Sequence, residues 1–416
     1  MFATVLDRLT SLTSRYFILG NFVPVLVFTF LNGIIIYLES HRFHAWVQAQ
    51  TSATSRASAA AVSFIGVAVA AYLLGALNGF LREVLEGRRL RHDSGLARRL
   101  RAPQLRRLRE HRDSYYHARD AAGAIRYLNS RGRERLADAA KMGMDECPGG
   151  NEYDGKTGPV ANALTRLELA RADAVAPKPT ELGEAVNLLE SLLRKNDISA
   201  IHDPTGRQTL SEARRTLLKL LDYAEDEWTT EEVAFANLIQ ARYGTGAVAV
   251  TALGNVADSM QAYALSRYRF NLATFWSRLQ PLLQRHDAFY AILQEAKTQL
   301  DFLVACVWLS AATTVVWFVV LPVWGHTLWP FLLVSLVGPL VARMFYLSAV
   351  ESYVAFGEIV RTAVDLYRFD LLDALHVGKP QSLREERALW EGLQRIASFG
   401  QEWIDLSYRH KLEMNP

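Results

Sequence analysis

The chain has 416 residues, of which 50% are hydrophobic and 21% charged, and its formal net charge at pH 7 is +3. Its mean hydropathy of +0.03 arises because much of the apolar content is concentrated in four long blocks rather than spread at helix or strand spacing. This distribution excludes a simple soluble globular protein, an intrinsically disordered chain and a secreted disulfide scaffold. Cys147 and Cys306 fall in segments of different predicted environment, so we expect no structural disulfide.

The first element, residues 1–15, is predicted to be an amphipathic helix. Phe2, Leu6 and Leu9 fall on one helical face, and Asp7 and Arg8 fall on the opposite face. Such a helix lies along a membrane surface or packs against the rest of the protein, and the sequence leaves both alternatives open.

Two pairs of apolar blocks predict four transmembrane helices. The first pair lies within residues 16–81, with a short loop between its members, and the second pair lies within residues 302–350. About 20 helical residues cross a hydrocarbon core of about 30 Å, and each block reaches that length. The last block reaches it only if Arg343, the one formal charge inside any block, lies near one end of the span, where its long side chain can carry the charge to the headgroups.

The distribution of basic residues predicts the orientation. Residues 82–135 contain 16 Arg, no Lys and seven acidic residues, whereas the loop 39–56 contains only Arg42 and Arg56 as basic residues. The positive-inside rule therefore places both termini and the large middle segment in the cytoplasm. The use of 38 Arg against eight Lys is typical of a GC-rich bacterium, so we expect a multi-pass protein of the bacterial cytoplasmic membrane.

The middle segment 82–301 and the tail 351–416 are predicted to be helical, because period-two strand patterns are nearly absent. A break near Pro103 separates two Arg-rich helices, and Thr229 with Glu232 forms a capping box that would start a new helix. Further helices are predicted over residues 160–174, 181–195, 210–223, 244–264, 278–301 and 351–375. The apolar stripe of 278–301 leads into the third span, and that of 351–375 leads out of the fourth. For 244–264, a membrane-surface or re-entrant segment is the alternative. The predicted fold class is all-α, with a helical cytoplasmic domain inserted between two pairs of spans.

Polar residues within the spans are the first candidate functional residues. Asn21, Asn32, Asn78 and Arg343 are candidates for a pore lining or a bundle interior, because intramembrane polar groups rarely face lipid. For Arg343 the alternative is that its long side chain reaches the headgroups. Gly75 and Gly79 form a small-xxx-small pattern typical of close helix packing.

The Arg-rich region after the second span is the strongest local signal. Anionic lipid headgroups or phosphate groups are its expected ligands, and ordinary topogenic charge is the simpler alternative. Nucleic acid would also be attracted, but it is not the expected partner. The candidate contacts are Arg82, Arg88, Arg89, Arg91, Arg98 and Arg99.

Catalytic, cofactor and metal sites are not expected. The sequence contains no phosphate-binding loop, no dinucleotide fingerprint and no nucleophile elbow. His41 and His44 lie one helical turn apart, but two ligands do not make a metal site.

The sequence therefore favours a non-enzymatic, homo-oligomeric membrane protein. In this hypothesis the cytoplasmic helices sense a signal or a partner, and the spans form a pore or perturb the membrane. The alternative is a membrane-anchored scaffold or receptor that binds a cytoplasmic partner protein.

Overall fold

The computed structural model describes residues 15–49, 53–89, 95–145, 165–166, 177–194, 204–244, 248–324 and 328–400. Within these ranges the chain is helical and contains no β-strand, which confirms the all-α class. The predicted helix 1–15 lies outside the described residues except for Arg15, and the predicted helix 160–174 lies outside them except for residues 165–166. The helices are α1 (Arg15–Glu39), α2 (His41–Ala49), α3 (Ala53–Leu85), α4 (Gly95–Asp145), α5 (Pro179–Arg194), α6 (Pro204–Arg242), α7 (Ala252–Tyr268), α8 (Leu272–Leu283), α9 (Asp287–Trp324), α10 (Leu328–Ala374) and α11 (Leu383–Phe399).

Four of these helices are long and apolar enough to span a membrane, namely α1, α3, α9 and α10. They coincide with the four apolar blocks of the sequence. Only 11% of the most apolar stretch of α3 and 6% of that of α10 is buried, so in the part of the chain that the structure describes both helices keep a large exposed apolar surface. A surface of this kind is suited to lipid or to another protein.

Helices α9 and α10 extend well beyond the length of a bilayer. They contain 38 and 47 residues, which correspond to roughly 57 and 70 Å of helix. The prediction that residues 351–375 continue the fourth span is confirmed, because α10 ends at Ala374. The prediction that residues 278–301 lead into the third span is confirmed from Asp287, where α9 begins, whereas residues 278–283 belong to α8, which ends at Leu283.

Close contact between α9 and α10 depends on a glycine. A Cβ at Gly338 would lie 2.2 Å from Oγ1 and 3.0 Å from Cβ of Thr314. Any larger residue at position 338 would therefore push the two helices apart. Pro339 follows within α10 without ending the helix.

A large hydrophobic core joins α7, α8, α9, α10 and α11. Its centre contains the fully buried Trp390, whose ring lies 4.7 Å from that of Phe270 and 5.3 Å from that of Phe275. Such edge-on contacts stabilise a core beyond simple area burial. The free thiol of Cys306, on α9, is also buried, with 2% of the residue exposed.

A buried arginine adds polar contacts to this core. The Nη2 atom of Arg361 donates hydrogen bonds to the carbonyl oxygen of Gln240 at 2.9 Å and to Oγ of Ser259 at 3.0 Å. These bonds connect α10 with the last residues of α6 and with α7. Because a buried guanidinium needs such acceptors, Arg361 is held by the segment around Gln240 and by α7.

Helix α7 carries the small residues of the predicted segment 244–264. It begins later than predicted, at Ala252, because Oγ1 of Thr251 accepts a hydrogen bond from the Gly254 amide at 3.0 Å. A Cβ at Gly254 would lie 2.2 Å from the carbonyl oxygen of Glu86, so this glycine lets α7 approach the end of α3. The prediction of a helix packed through small residues is confirmed.

Residues Arg106–Ile239 form a compact unit with a core of its own. That core is built from α4, α5 and α6 and contains Ile125, Leu136, Leu182, Leu189, Leu217 and Leu221. The predicted helix 181–195 is confirmed as α5. The predicted breaks were wrong, because Pro103 lies inside the continuous α4 and Thr229 lies inside the continuous α6. Trp228, next to the predicted start, is a buried residue of α6, and its indole donates a hydrogen bond to the Pro177 carbonyl at 2.9 Å.

Candidate functional site

A polar cavity of about 530 Å³ lies between α1, α3 and α9. Its walls carry Tyr16 and Asn21 of α1, Asn78 and Arg82 of α3, and Lys297 and Asp301 of α9. Volumes of this order are typical of small-molecule sites, which range from about 300 to 1,000 Å³. The cavity contains the largest group of the polar residues that the sequence singled out.

The cavity lies where three apolar spans meet their polar flanks. The apolar stretch of α1 begins at Tyr16, that of α3 ends just before Arg82, and that of α9 begins just after Asp301. The three ends therefore meet at one level. In a membrane this is the level at which hydrocarbon gives way to headgroups.

Asn21 enters the site through a local irregularity of α1. Residues Ile18–Phe22 form a π-helical turn, which widens the helix by one residue and is frequent at functional sites. Asn21 is 9% exposed and packs against α3, where a Cβ at Gly75 would lie 3.3 Å from its Nδ2 atom. Gly75 thus provides the space for Asn21, whereas a Cβ at Gly79 would have no neighbour within 4 Å among the described residues.

Two amide oxygens in this cavity lack a hydrogen-bond donor. Asn21 and Asn78 are 9% and 8% exposed, and the Oδ1 atom of each is buried without a partner among the described residues. The amide group of Asn78 does have an acceptor, because it hydrogen-bonds the Asp301 carboxylate. A buried acceptor without a donor costs about 1–3 kcal/mol, so the site favours a ligand or water that brings N–H or O–H groups.

Charged side chains of both signs also line the cavity. Lys297 and Arg82 are the two cations that act on the Asp301 carboxylate, and Lys297 is exposed. Arg82 also faces Glu86, with its Nε atom 3.5 Å from Oε1 of that residue. The cavity therefore offers cationic donors beside a carboxylate and two neutral acceptors.

A second cavity of about 460 Å³ shares Arg82, Gln294 and Lys297 with the first. It contains the buried carboxylate of Glu86, which is 4% exposed. The hydroxyl of Tyr353 donates a hydrogen bond to Glu86 Oε1 at 2.8 Å, and Nε of Arg88 lies 2.8 Å from Oε2. Glu86 is thus a structural acceptor whose charge is neutralised by its neighbours.

The six arginines predicted to contact lipid occupy different environments. Arg82 lines both cavities, Arg88 pairs with Glu86, and Arg89 pairs with Glu83 at 2.8 Å while covering the ring of Phe80. Arg98 and Arg99 are exposed on α4. Arg91 lies outside the described residues.

Two further candidates lie away from the cavity. Asn32 of α1 is half-buried against α9. Its Nδ2 atom lies 3.3 Å from Oγ1 of Thr313, and its Oδ1 atom accepts a hydrogen bond from the indole of Trp317. Arg343 is exposed on α10 beside exposed apolar residues such as Met344 and Leu340. Neither residue lines the polar cavity.

Sequence reasoning missed the contribution of α9 to the site. Lys297 and Asp301 are four residues apart, so they share one helical face directly before the third apolar block. That spacing was the available signal. Among the described residues, no group of three His, Cys, Asp or Glu side chains is arranged to hold a metal ion.

The sequence matches no protein-family profile, and no curated protein and no solved structure is significantly similar to it.

Proposed function

We propose that the protein is a non-enzymatic, oligomeric membrane protein of the bacterial cytoplasmic membrane. In this proposal a helical region on the cytoplasmic side senses a signal or a partner, and the spans respond by forming a pore or by perturbing the membrane. The observation that carries the proposal is the continuity of α9 and α10, which run without interruption from their apolar stretches into the core around Trp390.

This continuity gives a physical route for coupling. Helices of 38 and 47 residues exceed a bilayer by roughly 18 and 27 residues, and the excess of α10 includes buried Val360 and Val364. Because packed interiors deform little, a rearrangement of this core would be passed to the membrane part of the same helices.

The exposed faces of α3 and α10 support the oligomeric part of the proposal. Arg343 lies on the exposed face of α10, close to Leu340 and Leu347. A charge on such a face is costly in lipid, and contact with another copy or with a water-filled pore would remove that cost. Four spans in one copy cannot enclose a wide pore, so a pore requires a ring of copies.

The orientation follows from the positive-inside rule, with the Arg-rich residues 82–135 in the cytoplasm. The start of α1, the end of α3 and the start of the α9 apolar stretch meet at one cavity and so share one membrane face, and the positive-inside rule makes that face the cytoplasmic one.

The test is the mass of the intact particle in nanodiscs, followed by ion-flux recordings in liposomes. We expect a ring of on the order of four copies or more, and an altered flux when Arg343→Gln is compared with wild type at equal expression. Arg395→Gln is the matched control, since Arg395 lies on α11 and pairs with Glu391. A monomer or dimer without flux would contradict the pore.

One observation favours a second candidate, a membrane-anchored scaffold or receptor. Residues Arg106–Ile239 form a compact unit with its own hydrophobic core, as a partner-binding domain would. A dimeric particle that shows no flux, and that retains a cytoplasmic protein only when residues 106–239 are present, would support this function over the first.

A further inference from the structure

We propose that the cavity between α1, α3 and α9 binds the headgroup of a phospholipid that carries both a phosphate and a primary ammonium group, as phosphatidylethanolamine does. The inference requires only that the chain spans a membrane, and it goes beyond the proposed pore. If lipid binding is not found, the particle mass and the ion flux expected for the proposed pore are unaffected, so the two proposals fail independently.

The phosphate part of the ligand follows from the two cations. Lys297 and Arg82 come from different helices of the wall, α9 and α3, and both act on the same carboxylate, that of Asp301. Two cationic side chains around one opening are the usual contacts of a phosphate, and guanidinium groups suit its geometry particularly well. Lys297 is exposed, so its ammonium group is free to turn toward a ligand.

The ammonium part follows from the acceptors. The buried Oδ1 atoms of Asn21 and Asn78 have no donor among the described residues, and the Asp301 carboxylate lies beside Asn78. A primary ammonium brings three N–H donors. One can pair with the Asp301 carboxylate, and the others can pair with the two amide oxygens once Asn21 and Asn78, which line the cavity, turn these oxygens toward the ligand. A phosphate alone would leave both amide oxygens without a donor, and a quaternary ammonium has no N–H to give.

The lipid source follows from where the cavity lies. It is located at the polar ends of three apolar stretches, and Tyr16, the first residue of the first stretch, is 38% exposed on its wall. Tyrosines are enriched at this depth of a membrane because they are apolar with a polar tip. A ligand that enters from the bilayer keeps its acyl chains against the exposed apolar faces of the spans while its headgroup occupies the cavity.

The experiment is lipid titration of the purified full-length protein, followed by native mass spectrometry. Phosphatidylethanolamine, phosphatidylcholine and phosphatidylglycerol with identical acyl chains are compared, together with soluble glycerophosphoethanolamine. We expect phosphatidylethanolamine to bind about tenfold more tightly than either other lipid, because hydrogen bonds to charged groups contribute about 1.5–3 kcal/mol. We expect the soluble headgroup to compete only weakly.

Two variants separate the two parts of the headgroup. Lys297→Gln should weaken all three lipids by a similar factor, since all share the phosphate. Asp301→Asn should reduce the preference for phosphatidylethanolamine over phosphatidylcholine to near unity, while binding of phosphatidylcholine stays unchanged. Lys379→Gln is the matched control, because Lys379 is an exposed lysine that pairs with Asp373 outside this cavity.

The outcomes are decisive in both directions. Equal affinity for the three lipids, or an unchanged preference in Asp301→Asn, would overturn the assignment of the headgroup. Displacement of lipid by glycerophosphoethanolamine at equal concentration would overturn the lipid source and indicate a soluble phosphorylated amine. The unfolding temperature of each variant is measured in parallel, and the exposed Lys297→Gln keeps the test valid if Asp301→Asn does not fold.

Discussion

The indole Nε1 atom of Trp317 donates a hydrogen bond of 2.6 Å to Oδ1 of Asn32, which joins the third span to the first. The Nδ2 atom of Asn32 donates to the carbonyl oxygen of Phe28 at 2.6 Å and lies within reach of Thr313. Asn32 is therefore fully used by the protein itself. It differs in this respect from Asn21 and Asn78, whose side-chain oxygens have no hydrogen-bond donor among the described residues.

Replacing Asn32 should loosen this contact between the spans. In Asn32→Leu the indole N–H of Trp317, a residue that is 8% exposed, loses its acceptor in an apolar environment. Interhelical hydrogen bonds of this kind contribute on the order of 1 kcal/mol in membranes. We expect a lower unfolding temperature in detergent and a shifted tryptophan emission. Thr313→Val, which removes only the longer contact of 3.3 Å, should have a smaller effect, and an unchanged Asn32→Leu would contradict the role of this bond.

Replacing Tyr353 should destabilise the protein through the buried carboxylate of Glu86. Tyr353→Phe removes the hydroxyl that donates to Glu86 Oε1 at 2.8 Å and leaves Arg82 and Arg88 as the remaining partners. We expect a loss of about 1–3 kcal/mol in the free energy of unfolding, measured by denaturant titration. Tyr290→Phe is the control, because the Tyr290 hydroxyl accepts only an exposed bond from Gln284. Equal effects of the two substitutions would rule out a special role for the Glu86 contact.

Alkaline pH should remove a stabilising contribution of Tyr263. Burial, assisted by a hydrogen bond of 2.7 Å to Asp365, raises the pKa of Tyr263 from 10.0 to about 12. Because the folded state holds the proton more tightly than the unfolded state, this contribution is complete below about pH 10 and is lost as the pH rises toward about 12.

The measurement is the difference in unfolding temperature between wild type and Tyr263→Phe at about pH 8 and about pH 11. We expect that difference to shrink at the higher pH, since Phe has no proton to lose. The substitution Tyr127→Phe, at a position that is 66% exposed, controls for the loss of a phenol that is not buried. A constant difference for Tyr263→Phe would show that ionisation of this phenol does not affect folding.

Adding one methyl group at Gly338 should separate α9 from α10. In Gly338→Ala the new Cβ would lie 3.0 Å from Cβ of Thr314, and this atom belongs to a short, branched side chain that cannot turn away. We expect a destabilisation of about 1–3 kcal/mol, as for other overpacked contacts. Gly66→Ala, where a Cβ would have no neighbour within 4 Å among the described residues, should be neutral or slightly stabilising. The check is the unfolding temperature of both variants, and a stable Gly338→Ala would show that the helices readily move apart.

The four helices that are long and apolar enough to span a membrane could be predicted, because this property depends on composition along one short stretch. The ends of the other helices could not, since they depend on distant contacts. The Thr229–Glu232 pattern would cap an isolated helix, but Trp228 is buried next to it and is anchored to Pro177, so tertiary packing prevails over the local signal. Pro103 costs α4 one backbone hydrogen bond, and the surrounding helix is long enough to continue.

The candidate site was accessible to sequence reasoning only in part. Asn21 and Asn78 stand out as polar residues in apolar blocks, and Arg82 stands out as the first charge after one. Lys297 and Asp301 share one helical face before the third block, but this spacing is common in amphipathic helices and marks a site only once α1 and α3 pack beside it. The π-helical turn that directs Asn21 toward α3 also has no marker in the sequence ILGNF.

Because Cys306 is buried, the rate at which its thiol is alkylated reports how often the helices around it open. The sequence contains only one other cysteine, so Cys147→Ser leaves a single thiol, located on α9 within the helix bundle. A small alkylating reagent can reach that thiol only during moments when α9 separates from its neighbours, and the alkylation rate then measures the population of such moments. Each tenfold change in that rate between conditions corresponds to about 1.4 kcal/mol in the free energy of opening. A signal that acts on the helices around Trp390 would thus be detected as a change in chemical reactivity inside the span, without any added label.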